Sequence, residues 1–289
     1  MKLSKESIDY ILGLQKKILP NICFSNSENI RVIKDIIMNY NGKVSFISKD
    51  NKKDIKSINT LLIFMESLNE EESFNLEKLL INLGKQAVVI LDAKGIDSVI
   101  YKRNLVLSFL NRGKIGIIKG TKSQIEALIK VQDNSKIYNI DTNFKYRDFS
   151  KKNNIILIVE DEGYYITEGY SEFYIQDNNI VLDKEILDCI YECILSVGVS
   201  VCKNKCEMVQ AILISTLVFI ISKEMAVVKF EKEFMDEGDY EYNKDETLYK
   251  YIIDEIHEIT SKSIEDCDKI RAIPAKIEVR GNSDGRSLA

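Results

Sequence analysis

Charged and glycine residues follow two apolar segments of the sequence, at positions where they could hold a ligand. Asp92 comes directly after the apolar run at 87–91, and Lys119 and Gly120 follow the run at 115–118. In open parallel sheets the ligand binds at the carboxyl ends of the strands. A carboxylate there suits a metal ion and a lysine suits a phosphate group, so these residues predict a binding site. The alternatives are that Asp92 is an ordinary turn or cap residue and Lys119 a surface lysine.

Three apolar runs and the two segments between them would position these residues. The runs at 61–64, 87–91 and 115–118 are apolar throughout, whereas the segments between them repeat apolar residues every three or four positions. This pattern predicts a β-α-β-α-β unit. Strands that are apolar on both faces need helices on both sides, so we expect an α/β protein with a mostly parallel sheet.

The remaining elements follow from weaker signals. Helices are expected before residue 20 and at 29–40, 183–199, 206–228 and 245–260. Strands are expected at 44–47, as the first of the sheet, and at 136–140, 155–159, 164–167 and 172–175. The last two predict an antiparallel hairpin appended to the sheet edge. The tail at 281–289 lacks periodicity and is expected to be disordered.

The composition indicates one domain over residues 1–280. The chain has 289 residues, two prolines and a net charge of −5, and it contains no linker-like tract. It lacks the basic stripe that nucleic acid or anionic lipid requires, so neither partner is expected. The N-terminal segment lacks the apolar core of a secretion signal, and the apolar stretch at 208–221 is too short to span a bilayer. We therefore expect a cytoplasmic protein with reduced cysteines.

Cys189 is a candidate nucleophile or base inside a helical segment. Cys193 follows it by four positions, on the same helical face. The alternative is that Cys189 is a small apolar core residue. Together with Cys202 and Cys206 these cysteines also allow a metal hypothesis. It is disfavoured because structural zinc sites use tighter spacings and the single histidine, His257, is distant in the sequence.

Taken in order, several motifs resemble those of the hydroxyethylthiazole kinase family, which has a ribokinase-like three-layer α/β/α fold. Asp-Ala-Lys-Gly at 92–95 is similar to the family's Asp-Pro-Val-Gly, and Ile-Lys-Gly-Thr-Lys-Ser-Gln-Ile at 118–125 is similar to its Ile-Arg-Gly-Asn-x-x-Glu-Ile. The strand that ends at Val159 and the hairpin after it match the family's next elements. Cys189 stands where the family's Gly-x-Gly-Cys ends. The resemblance covers residues 18–275.

The resemblance implies ATP- and Mg²⁺-dependent phosphorylation of 4-methyl-5-(2-hydroxyethyl)thiazole, a small thiazole alcohol of thiamine salvage. It also implies a homotrimer with the site between subunits. In this reading Cys189 lies near the substrate hydroxyl and Asn26 contacts the thiazole. The implied metal ligands are Asp92 and Gln124. The implied ATP-binding residues are Lys119, Gly120, Thr121 and Glu160.

Several family residues that hold phosphate and metal are replaced in this chain. The glycines before the cysteine are replaced by a segment that contains Glu185 and Asp188. Two like charges about 5 Å apart at an effective dielectric constant of ~20 repel by roughly 3 kcal/mol, which disfavours a polyphosphate. Thr121 and Gln124 form a neutral pair that suits Mg²⁺ poorly, and Glu160 replaces a threonine. A second hypothesis is therefore a catalytically inactive relative that binds a small molecule or packs with an active kinase. A third is a kinase of another alcohol.

Overall fold

The computed structural model describes residues 3–17, 19–25, 29–47, 55–132, 142–177, 184–234 and 244–272. Three sequence predictions lie outside these residues: Asn26 as a substrate contact, a strand at 136–140 and a disordered tail at 281–289. The single domain over 1–280 stays a prediction.

Nine strands of the described residues form one sheet. They are β1 (Asn21–Phe24), β2 (Lys43–Phe46), β3 (Thr60–Phe64), β4 (Val88–Asp92), β5 (Ile117–Thr121), β6 (Ile156–Glu160), β7 (Gly163–Thr167), β8 (Glu172–Gln176) and β9 (Ile270–Ala272). Their order across the sheet is β2-β1-β3-β4-β5-β6-β7-β8-β9. The pairs from β2 to β6 are parallel, and β7, β8 and β9 continue the sheet in antiparallel pairs. The expected mostly parallel sheet with an antiparallel hairpin is confirmed.

Helices cover both faces of this sheet. They are α1 (Lys5–Lys17), α2 (Ile30–Asn39), α3 (Glu70–Asn82), α4 (Ile100–Asn111), α5 (Lys122–Gln132), α6 (Thr142–Asn153), α7 (Lys184–Ser200), α8 (Lys205–Phe234), α9 (Lys244–Glu258) and α10 (Ser261–Glu265), with a 3-10 turn at Ile55–Ser57. Alternate strand residues enter two separate cores. Leu62 packs with residues of α1, α2, α7, α8, α9 and α10, whereas Ile63 packs with residues of α3, α4, α5 and α6. This division confirms the three-layer α/β/α architecture.

Several elements differ from the sequence prediction. The strand expected to be first, at 44–47, is the second, because β1 precedes it. Strand β9 lies beyond the last predicted helix and was not predicted, and neither were the helices α5, α6 and α10. The two missed strands, β1 and β9, contain four and three residues and gave no clear strand pattern in the sequence. Pairing with longer neighbours, β1 with β3 and β9 with β8, is what defines them.

Helix α7 brings its first half to the carboxyl ends of the central strands. It packs against β1, β3 and β4, and Thr60 Oγ1 donates a hydrogen bond to the carbonyl oxygen of Ser196 at 3.1 Å. The hydroxyls of Tyr191 and Thr216 are 2.9 Å apart and tie α7 to α8. These contacts fix α7 against the sheet, so that residues 185–192 lie over the strand ends.

Helix α8 contains the apolar stretch at 208–221 and is longer than the sequence suggested. Among the described residues it is the one helix whose length and composition would allow it to cross a membrane, with a mean hydropathy of 2.0 in its most apolar window. In the protein 72% of that window is buried. The expected buried helix is therefore present.

Candidate functional site

The carboxyl ends of three neighbouring parallel strands bring together the charged residues that the sequence singled out. Asp92 ends β4 and lies beside Lys119 of β5 in the register of the two strands. Glu160 ends β6 and lies beside Thr121. The predicted convergence of these residues at one edge of the sheet is therefore present, as expected for a ligand site of an open α/β sheet.

Lys119 lies at the centre of this group and is only 1% exposed. Its Nζ atom donates a hydrogen bond to Glu192 Oε1 at 3.0 Å and is 2.9 Å from Glu160 Oε1. Asp188 Oδ1 is 3.6 Å away. Two of these carboxylates come from α7 and one from β6. The ammonium group of Lys119 is thus enclosed by acids of the protein itself.

The electrostatic balance of this cluster keeps Lys119 charged. Burial alone lowers the pKa of a lysine, because the charged form loses its hydration. The carboxylates of Glu160, Glu192, Asp188 and Asp92 oppose that effect, and together they raise the pKa of Lys119 well above its usual range. One ammonium group therefore faces four carboxyl groups.

Two of these carboxyl groups hold protons more tightly than usual. Burial, reinforced by the charges of Glu160 and Asp188 and opposed by Lys119, raises the pKa of Asp92 to about 6. Burial, with the charge of Asp92 beside it, also raises the pKa of Glu192 well above its usual range. The cluster carries an excess of negative charge that burial makes costly, which favours the protonated forms of Asp92 and Glu192.

A cavity of about 310 Å³ opens beside the cluster. Its lining consists of Asn29, Phe64, Glu66, Ser67, Asp92, Lys94, Glu185, Asp188, Cys189 and Glu192. Lys94 Nζ joins the two sides of the cavity, 2.7 Å from Glu66 Oε2 and 3.2 Å from Glu185 Oε1. These ion pairs raise the pKa of Lys94 to about 12, although its partial burial acts in the opposite direction. Half of the lining residues of the cavity are acids.

Gly120, Thr121 and Gln124 form the turn that starts α5. Gln124 Oε1 accepts a hydrogen bond from the backbone N–H of Thr121 at 2.8 Å, as a side chain in the first turn of a helix does. A Cβ atom on Gly120 would lie 2.9 Å from Ala93 Cβ and 3.0 Å from Gln124 Oε1. The glycine is thus required by close packing between β4 and α5. Metal binding by Gln124 and ATP binding by Gly120 and Thr121 stay predictions.

Cys189 lines the cavity but is only 3% exposed. It belongs to the apolar core that α7 shares with α8, as the alternative reading of a small core residue expects. The cysteines of the described residues are free of disulfides. In the same residues no group of three or more His, Cys, Asp or Glu side chains could hold a metal ion. Neither a cysteine-metal site nor a three-ligand magnesium site is formed there.

The sequence missed one residue of the cluster and misjudged the role of another. Glu192 was not predicted, although an acid inside the apolar segment 190–199 is a signal for a buried charge. Asp188 was expected to face an incoming phosphate, and the structure shows it directed at Lys119 instead. The partner of each acid lies more than sixty positions away, so the sequence alone could not identify it.

The residues present do not fit the triphosphate of ATP. The helix that would receive it begins with Lys184 and carries Glu185 in its first turn. Ile186 and Leu187 follow, partly buried against the apolar core, where glycines would expose backbone N–H groups to an anion. The nearby ammonium group, Lys119, is already surrounded by carboxylates. A phosphate group of ATP placed at the start of α7 would therefore contact acidic and apolar side chains.

Comparison with known proteins identifies the fold. No family model matches the sequence, and no curated protein does. A solved structure described as a hydroxyethylthiazole kinase protein from Pyrococcus horikoshii matches with a TM-score of 0.73 and 16% identity, over 93% of this chain and 100% of that one. Pyridoxal kinase from Staphylococcus aureus in complex with pyridoxal has a TM-score of 0.55 and 9% identity, over 71% of this chain and 88% of that one.

A ribokinase-like superfamily protein from Enterococcus faecalis also has a TM-score of 0.55 and 9% identity, over 89% of this chain and 95% of that one. At these identities the likeness concerns the fold. The chain has the ribokinase-like α/β fold, and the likeness to hydroxyethylthiazole kinase that the sequence predicted is confirmed in its architecture.

Proposed function

We propose that this protein is a divergent relative of the hydroxyethylthiazole kinases that binds a small molecule at the carboxyl ends of its strands and does not transfer phosphate from ATP. The observation that carries the proposal is the state of Lys119. Its ammonium group lies 2.9 Å from Glu160 and 3.0 Å from Glu192. The positive charge of Lys119 is therefore already compensated by these carboxylates and is not available to a phosphate group. The cavity beside it remains large enough for a small molecule.

A second candidate function is the one that the resemblance implied, ATP- and Mg²⁺-dependent phosphorylation of the thiazole alcohol. Two observations favour it: the likeness in fold, and the position of Asp92 and Cys189 in the lining of one cavity. In that case Cys189 would lie near the substrate hydroxyl and Asp92 near the metal. This activity requires a surface that binds the nucleotide, and the acids of α7 would repel the nucleotide's phosphates there. We therefore rank this candidate second. The homotrimer and the cytoplasmic location stay predictions for both candidates.

One experiment separates the two candidates. Purified protein is incubated with Mg-ATP and 4-methyl-5-(2-hydroxyethyl)thiazole, release of ADP is measured, and nucleotide binding is followed by calorimetry. We expect no ADP above the protein-free blank and no heat of nucleotide binding. Formation of thiazole phosphate in step with ADP would overturn the proposal. Loss of that activity in Cys189→Ala would then assign Cys189 to the reaction.

A further inference from the structure

A second cavity of about 110 Å³, which we call the Gln15 cavity, lies near the amino end of β2. Asn39, Tyr40 and Asn41 come just before β2 and line it, whereas the Lys119 cluster lies at the carboxyl ends of the strands. The described part of its lining contains no aspartate, glutamate, lysine or arginine. We propose that this cavity binds a small neutral amide, a compact apolar molecule with an N–H donor next to a carbonyl acceptor, which pairs with the side-chain amide of Gln15. The two cavities are separate, so this inference does not rest on the proposed function.

Gln15 of α1 is the buried polar residue of this cavity. It lines the cavity and is only 6% exposed. Neither of its amide atoms has a hydrogen-bond partner among the described residues. The amide is also not one of the fully enclosed polar groups without a partner, so the small exposed part of Gln15 includes the amide itself. Buried amides are nearly always hydrogen-bonded, so Gln15 offers a free donor and a free acceptor to an occupant of the cavity.

Packing rather than hydrogen bonding holds the amide of Gln15 in position. A Cβ atom on Gly198 of α7 would lie 3.3 Å from Gln15 Nε2, so the amide rests against the helix where that helix has no side chain. Leu12, on the same side of α1, and Val218 of α8 also line the cavity. The amide is therefore placed by three helices before any ligand arrives, which lowers the ordering cost of binding.

Three helices end at the Gln15 cavity. Gln15, Asn39 and His257 line it from the last turns of α1, α2 and α9, which end at Lys17, Asn39 and Glu258. The last carbonyl groups of a helix have no intrahelical N–H partner and give its carboxyl end a partial negative charge. This position therefore favours a ligand with an N–H donor over a carboxylate or a phosphate. A neutral amide supplies the donor without needing a counter-charge.

The rest of the lining sets the size and surface of the ligand. Leu12, Val218 and Ile259 supply aliphatic surface. The rings of Tyr40 and His257, 5.7 Å apart and tilted by 50°, form an aromatic wall. An apolar cavity of about 150 Å³ holds a benzene molecule, so about 110 Å³ accepts a slightly smaller body such as a five-membered ring. Water is the competing occupant, because a polar cavity of this volume also suits it.

The test uses two probes of the same shape that differ in one N–H group. Binding of 2-pyrrolidinone and of cyclopentanone to the full chain is measured by ligand-detected NMR titration at neutral pH. Both rings carry a carbonyl acceptor, but only the lactam also carries a donor. We expect saturable binding of 2-pyrrolidinone, about fivefold or more tighter than that of cyclopentanone, because cyclopentanone leaves the acceptor of Gln15 without a partner.

Two variants, each with a matched control, locate the site. Gln15→Leu removes the amide, so we expect the preference for the lactam to disappear, whereas Gln86→Leu at an exposed position should preserve it. Val218→Phe fills the cavity from α8, and we expect both probes to lose about tenfold or more in affinity. Val228→Phe, on an exposed part of the same helix, should change neither affinity. Gln15→Leu keeps the test decisive if Val218→Phe does not fold, because it breaks no hydrogen bond of the described residues.

Any of four results overturns the inference. The first is the absence of saturable lactam binding to the natural protein, which would mean that the cavity holds water only. The second is equal affinity for the two probes. The third is an unchanged preference for the lactam in Gln15→Leu, and the fourth is unchanged binding to folded Val218→Phe. The ADP assay described above reports on the other cavity, so its outcome and the outcome of this titration are independent.

Discussion

Lys119 and Glu192 form a buried ion pair between the central sheet and the helix that covers it. Nζ of Lys119 and Oε1 of Glu192 are 3.0 Å apart, and the two residues are separated by 73 positions in the sequence. Removing two such charges from water costs several kcal/mol per ion, which their attraction offsets only when the geometry is good. Lys119, which the resemblance placed beside a phosphate group, is thus paired with an acid of the protein instead. The proposed function is based on this pairing.

Replacement of Lys119 by methionine is expected to destabilise the protein by about 3–5 kcal/mol, because it leaves Glu160 and Glu192 buried beside each other without a cation. The measurement is the free energy of unfolding in urea. Lys122→Met is the matched control, since Lys122 makes only an exposed ion pair with Asp161 at 3.7 Å and should cost about 0–1 kcal/mol. Equal losses in the two variants would contradict the central role of Lys119.

The stability of the protein should depend on pH through Asp92. Its pKa in the folded protein, about 6, is above the ordinary value of 3.8, so the folded state binds this proton more tightly than the unfolded chain does. The resulting stabilisation is fully present below about pH 4 and is lost as the pH rises through about 6. It amounts to about 3 kcal/mol.

Asp92→Asn removes this pH dependence, because the amide does not titrate. We expect the free energy of unfolding of Asp92→Asn to rise relative to the natural protein as the pH increases from about 4 to about 7. Urea unfolding at several pH values measures the difference. Glu192 is present in both proteins, but the charge of Asp92 helps to raise its pKa, so the measured difference contains the coupled titration of the two acids. A difference that stays constant over this range would show that Asp92 does not titrate as described.

Substitution of Gly120 by alanine should destabilise the protein by about 1–3 kcal/mol through overpacking. The new Cβ atom would lie 2.9 Å from Ala93 Cβ, closer than such atoms approach each other. Gly13→Ala is the control: its Cβ atom meets nothing within 4 Å, and alanine inside α1 should add about 0.5–1 kcal/mol. In thermal unfolding we therefore expect Gly120→Ala to lower the stability of the protein and Gly13→Ala to raise it. A neutral Gly120→Ala would mean that β4 and α5 adjust freely.

Substitution of Asn69 by alanine should cost about 1 kcal/mol, because it removes the cap of α3. Asn69 Oδ1 accepts the backbone N–H of Glu72 at 2.9 Å, and Glu72 Oε2 accepts the N–H of Asn69 at 3.1 Å. Asn75→Ala, inside the same helix, is the control and should gain a few tenths of a kcal/mol by helix propensity, about 0.5 at most. Chemical unfolding of both variants measures the difference. Equal effects would show that the cap contributes nothing.

Much of the fold could be predicted because its signals are local. The apolar runs at 61–64, 87–91 and 115–118 correspond to β3, β4 and β5, since strands covered on both faces are apolar at every position. Strands β1 and β9 were not visible, because segments of four and three residues become strands only through their neighbours.

The candidate site was predicted in place but not in its chemistry. Asp92 and Lys119 were expected near each other because the ends of parallel strands meet, and Glu160 was added by the family resemblance. Lys119 was expected to serve a phosphate, yet the structure surrounds it with carboxylates, one of which, Glu192, the sequence did not indicate. Glu185 and Asp188 of α7 were expected to repel a phosphate group. In the structure Asp188 also lies near Lys119 and compensates part of its positive charge.

The sequence by itself determined the central β-α-β-α-β unit and the sheet edge at which polar residues gather, because apolar periodicity reports the burial of each segment. Only the tertiary structure decided which acids surround Lys119 and which side chains line the cavity beside it. The physical reason is that electrostatic energy depends on distances between side chains from β4, β5, β6 and α7. Those distances are set by how the helices pack on the sheet, and no local pattern contains them.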